Sequence, residues 1–160
     1  MLNSLSKNIW LILTIIIPGI FTYGLFRILL IIHETTAFNT LFDSMDNSIS
    51  INACVIVIIG LIQQMFGILL EALIAIILKG GSLKRLVWDR HLKKEAVTDR
   101  EQLATGNFYL SLNITIGLFF LLSAFVVFKF DLRVAIPLFL LFIVSAGVTI
   151  FRAKIAMEIV

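Results

Sequence analysis

Cysteine is almost missing from this chain of 160 residues: Cys54 stands alone. One thiol closes no intrachain disulfide, and it excludes a zinc site built on several thiolates. What remains for it is a bond to another protomer or a place as a small apolar filler. Histidine is nearly as scarce, with His33 and His91 only. They fall on opposite sides of the membrane in the topology read below, and His91 has no third ligand beside Asp89 or Glu95. There is no glycine-rich phosphate loop, no Ser-His-Asp pattern and no CxxC. No metal or cofactor is implied, and the chain does not read as an enzyme. Charge is thin as well, at 14% of residues, where a soluble domain carries about a quarter.

What fills the chain instead is hydrocarbon. Some 60% of residues are hydrophobic, and the mean hydropathy is +1.07. The excess is gathered into four runs, at about 9–32, 51–78, 108–128 and 134–151. Each meets or approaches the roughly 20 residues that cross about 30 Å of bilayer core. The sequence therefore predicts an all-α, polytopic integral membrane protein. It is a four-transmembrane-helix bundle, with residues 1–160 forming a single membrane domain. Lys7 ahead of the first run resembles the start of a signal sequence. The run continues past Pro18 to Ile32, however, and reads as a retained anchor.

Orientation follows from lysine and arginine. Lys79, Lys84, Arg85, Arg90, Lys93, Lys94 and Arg100 lie between the second and third spans, Lys7 precedes the first, and Arg152 and Lys154 end the fourth. The other side holds only Lys129 and Arg133, and its first loop carries Glu34, Asp43 and Asp46. The positive-inside rule then puts both termini and the middle loop in the cytoplasm, in an inner-membrane setting.

The connections carry their own signals. In the outer segment 36–46, Phe38, Leu41, Phe42 and Met45 recur at helical spacing. This is either an amphipathic helix on the membrane surface or a loop tucked beneath the bundle. Between the second and third spans, 79–107 reads as a cytoplasmic helical hairpin. Gly80-Gly81 opens it, and Thr98 with Glu101 forms a capping box that starts the third helix near Asp99. The last connection, Lys129 to Arg133, is so short that the third and fourth helices must be antiparallel neighbours.

Polar groups inside the spans mark where helices meet protein or water rather than lipid. On the second helix, Gly60, Gln64, Gly67 and Glu71 recur at steps of four, three and four. These steps share one helix face; Ala53 and Val57 extend the stripe outward, and Ala75 extends it inward. The expectation is a face for self-association, or for lining a pore. Glu71 finds its natural counter-ion in Arg152, which lies in a matching stripe of Ser145, Thr149, Arg152 and Ala156.

Three further intramembrane polar groups are Arg27, Gln63 and Asn113. Arg27 either reaches outward to headgroups or Glu34, or turns inward to Gln63 or Gln64. Pro18-Gly19 should bend the first helix. Asn113 and Gly117 share a close-packing face with Tyr109 and Ala124, most simply set against the second helix. In the hairpin, Trp88 and Leu92 sit four residues apart among Lys84, Arg85, Arg90, Lys93 and Lys94. The patch suits either anionic headgroups or a soluble protein that docks on Trp88. Asp89, Glu95, Asp99 and Glu101 leave the hairpin too little net charge to favour nucleic acid.

The layout is similar to that of small four-span bacterial proteins that serve as membrane subunits of larger assemblies, phage-defence systems among them. No residue carries over from that similarity. The sequence reading is a non-enzymatic inner-membrane subunit, a sensor or anchor. It forms a homo-oligomer through its second helix and docks a cytoplasmic partner on the basic hairpin, 79–101. Its partners are membrane lipid, its own copies and that protein. The competing reading is a small ion or solute channel or transporter, with Gln64 and Glu71 along the route.

Overall fold

The computed structural model describes residues 12–33, 49–79, 98–128 and 132–159. Among these residues the chain is helical throughout, with no strand. The helices are α1 (Ile17–His33), α2 (Ile49–Lys79), α3 (Asp99–Phe128) and α4 (Leu132–Ile159). A wider, π-helical turn, Ile12–Ile16, leads into α1. In an apolar medium the backbone must bond to itself, and an uninterrupted helix is the simplest way to do so. Three of the helices are long and apolar enough to cross a membrane: Ile49–Leu73, Leu103–Phe125 and Leu132–Ala156. α1 contributes a shorter apolar stretch, Thr14–Leu30.

The outer segment 36–46 lies outside the described residues, as does the body of the hairpin. Lys84, Arg85, Trp88, Arg90, Leu92, Lys93 and Lys94 all fall there.

α3 starts where its capping box directs. The Thr98 amide donates to Glu101 Oε2 at 3.0 Å, and the Glu101 amide donates to Thr98 Oγ1 at 3.3 Å. Two donors that the first helical turn would leave unbonded are thereby satisfied. Each helix runs antiparallel to the next. One end of the bundle gathers the starts of α1 and α3 with the ends of α2 and α4. It is called the hairpin end below, and the opposite one the far end.

α3 is the hub. In its apolar stretch 61% of the residues are buried, against 17% in α2 and 11% in α4. It packs against α1, α2 and α4, and α1 and α2 also pack on each other. Towards the hairpin end, Phe108, Tyr109, Leu112 and Ile116 of α3 close on Ala156 of α4. Towards the far end, Leu118, Leu121 and Phe125 pack with Leu29 of α1 and Leu138 of α4. The outward faces of α2 and α4 keep Met65, Leu69, Val144 and Ile150 exposed. Such surfaces are what lipid covers when a helix sits in a bilayer.

Pro18 stands second in α1 and brings no N–H for the carbonyl of Thr14, four residues earlier. The π-helical turn lies just before it, so the proline meets a widened ladder at the mouth of the helix rather than breaking its middle. Cys54 is exposed on α2, so it is not an internal filler.

Candidate functional site

α2 meets α1 along a row of every fourth residue. A Cβ built on Gly19 would run into the backbone carbonyl of Ile56, and one built on Gly60 would run into that of Ile15. One row further out, the Tyr23 hydroxyl donates to Asn52 Oδ1 at 2.5 Å. Ile15 thus faces Gly60, Gly19 faces Ile56 and Tyr23 faces Asn52. Each step of four up α1 is matched by a step of four down α2. Glycine in each helix lets the other's backbone approach closely and gain dispersion contacts.

α2 meets α3 along a second row with the same step. Gln63 faces Gly117, Gly67 faces Asn113 and Glu71 faces Tyr109. At every level a small residue opposes a large one, or a donor opposes an acceptor. The Gln63 amide donates to Thr22 Oγ1 of α1 at 2.5 Å. That bond lies directly over Gly117, where a Cβ would come within 2.5 Å of Gln63 Nε2. Tyr109 donates its hydroxyl to Glu71 Oε2, and both residues are buried.

Asn113 joins three helices. Its amide nitrogen donates to Gln64 Oε1 of α2 at 2.6 Å and to the carbonyl of Thr14, in the turn that leads into α1, at 2.5 Å. The side chain is fully buried, as is that of Gln63. Among the described residues, Asn113 Oδ1 and Gln63 Oε1 have no N–H or O–H donor. Asn113 Oδ1 instead lies against Gly67, 2.7 Å from where a Cβ would stand. The Cα–H of Gly67 points at it as a weak donor.

The expected stripe is therefore two rows. Gly60 and Gln64 continue the row of Asn52 and Ile56; Gly67 and Glu71 belong with Gln63. All five of Gly60, Gln63, Gln64, Gly67 and Glu71 are buried. Their neighbours include residues of the same chain's first and third helical segments. Ala53 and Val57, read as the outward extension, are exposed. The contact with α1 follows the four-residue row of Asn52, Ile56 and Gly60, so Ala53 and Val57 fall outside it. Ala75 has no side-chain description.

Glu71 and Arg152, expected as an ion pair, each have a hydrogen bond to α3. Glu71 takes the Tyr109 hydroxyl, and Arg152 Nη1 donates to the Asn107 carbonyl at 3.0 Å. The matching stripe on α4 does face α3. Thr115 Oγ1 lies 2.7 Å from Ser145 Oγ and 2.9 Å from Thr149 Oγ1. Arg27 is half-buried, one step of four beyond Tyr23. Of the two glutamines that formed its inward alternative, Gln63 bonds to Thr22 and Gln64 to Asn113. Thr14, Thr22, Tyr23 and Asn52 were not singled out by sequence reasoning. The signal for them was the shared four-residue step.

The result is a polar seam stacked through most of the bundle's thickness. From Asn52 to Glu71, at about 1.5 Å per residue, it spans nearly 30 Å. Among the described residues, no three of His, Cys, Asp or Glu gather as metal ligands. The chain matches no family model, no curated protein and no solved structure.

Proposed function

We propose that this chain is a non-enzymatic membrane subunit: a four-span anchor that holds its basic hairpin, 79–101, for a cytoplasmic partner protein. The observation that carries the reading is the internal use of the α2 face. Gln64 and Glu71 bond to Asn113 and Tyr109 of the same chain, and glycines close the space around them. A seam filled in this way serves as adhesive between helices. What is left to offer a partner is the hairpin, where Trp88 and Leu92 stand among lysines and arginines. The lysine and arginine bias supports placing both termini and this hairpin in the cytoplasm.

The test is capture from native membranes in mild detergent. A soluble protein should co-purify with the chain, and Trp88→Ala combined with Arg90→Ala should release it. If the wild type brings down no soluble protein, docking is lost as a function. A second reading, a small ion or solute conduit, draws on the same seam, because its polar groups recur at several depths. It requires flux in liposomes that Glu71→Gln abolishes while the protein stays folded.

A further inference from the structure

α3 and α4 leave a groove of about 270 Å³ between them, closed at its inner tip by Phe21 of α1. Its walls are mostly aliphatic, with Leu110, Ile114 and Leu118 on one side and Leu141, Val144 and Val148 on the other, and Ser111 and Ser145 add one hydroxyl to each. Arg152 stands at its mouth, at the hairpin end. Along α4 the groove runs from Leu141 to Arg152, which at about 1.5 Å per residue is roughly 16 Å. Half of a bilayer's hydrocarbon core is about 15 Å. The groove is therefore about as long as one leaflet is deep, and its one cation lies at the hairpin end.

We propose that this groove binds one anionic phospholipid of the leaflet at the hairpin end, with an acyl chain along α3 and α4 and the phosphate on Arg152. Charge complementarity selects the headgroup. A guanidinium carries five donors in a planar fork suited to phosphate oxygens. Among the described residues its partner is the Asn107 carbonyl, which holds Nη1 and orients the fork. Lys154 is exposed two residues further along α4. Arg100 is exposed on α3, seven residues before Asn107 and so on the same helix face. All three cations gather at this end. The lipid assignment rests on the chain lying in a membrane, but not on its having a soluble partner.

Native mass spectrometry of the full chain in mild detergent tests it, with dioleoylphosphatidylglycerol and dioleoylphosphatidylcholine as probes. One phosphatidylglycerol should remain bound in preference to phosphatidylcholine. Arg152→Gln should weaken the anionic lipid by about fivefold and leave the zwitterionic one unchanged, while Arg152→Lys retains part of the preference. Val148→Trp fills the groove and should remove both lipids. Thermal unfolding of each variant shows that the fold survives. Equal binding of the two lipids, or an unchanged preference in Arg152→Gln, overturns the assignment. So does a lipid-free dimer that Val148→Trp dissociates, since a second copy would then occupy the groove.

Discussion

The carbonyl of Thr14, in the π-helical turn before α1, accepts a hydrogen bond from the side chain of Asn113 on α3. Pro18, which would sit four residues on in a regular helix ladder, has no N–H to give it. One amide thus serves a backbone position altered by proline and also holds Gln64. Asn113→Leu removes both bonds and leaves the buried Gln64 Oε1 without the donor it has here. The expected loss is about 1–3 kcal/mol of stability, read from denaturant titration in mixed micelles. A change inside about 0.5 kcal/mol, the range of an ordinary surface substitution, would remove Asn113 from its place as the three-helix junction.

Glycines in this chain divide by what a methyl group would meet. Gly19 and Gly60 face the backbone carbonyls of Ile56 and Ile15, which cannot swing aside; Gly24 and Gly147 have nothing within 4 Å. Alanine at either of the first two should destabilise by about 1–3 kcal/mol through overpacking. Alanine at either of the second two should stabilise by up to about 1 kcal/mol through helix propensity. The opposite signs are the test. If all four variants shift the same way, the α1–α2 contact is not where it is described.

Glu71 and Tyr109 should show coupling in a double-mutant cycle. Tyr109→Phe and Glu71→Leu each break the bond, and their combination should cost less than their sum by about 0.6–2 kcal/mol. Glu71→Gln keeps an oxygen for the hydroxyl and should be the mildest substitution at that position. Were Glu71→Gln as damaging as Glu71→Leu, the negative charge itself would be what the site holds, and a neutral acceptor would not suffice.

Thr98→Ala should fray the first turn of α3. Loss of an N-cap costs about 1 kcal/mol, and the amide of Glu101 loses its Oγ1 acceptor. Hydrogen exchange should accelerate over the first turn after Asp99 and leave the centre of α3 untouched. Uniform acceleration along α3 would mean that the cap supports the whole bundle rather than one helix end.

The existence of the helices and the start of α3 were legible because they depend on local terms, namely run length, hydropathy and a capping box. The α2 stripe was legible as polar, but its division into two rows was not. Gly60 and Gly67 look equivalent from spacing alone, yet one meets Ile15 and the other Asn113. The Glu71–Arg152 pair was read from charge, whereas the Tyr109 bond to Glu71 follows from the register of α2 against α3, which shape sets. Once Gly67 lies under Asn113, a step of four delivers Tyr109 to Glu71. That register is a property of two sequences read together in opposite directions. Only the complementary sizes of Gln63, Gly67 and Glu71 against Gly117, Asn113 and Tyr109 hinted at it.

The order of synthesis gives the central place of α3 a further meaning. Its apolar stretch has the lowest mean hydropathy of the three long ones, 1.9 against 2.4 and 2.6, because it carries the amide and hydroxyl groups that bind its neighbours. A ribosome completes α1 and α2 first, so both partners of Asn113 precede it in synthesis. Insertion of the third segment should then be easier when the first two helices are already in place. A chain permuted to begin with α3 should enter the bilayer far less readily, although every residue is the same.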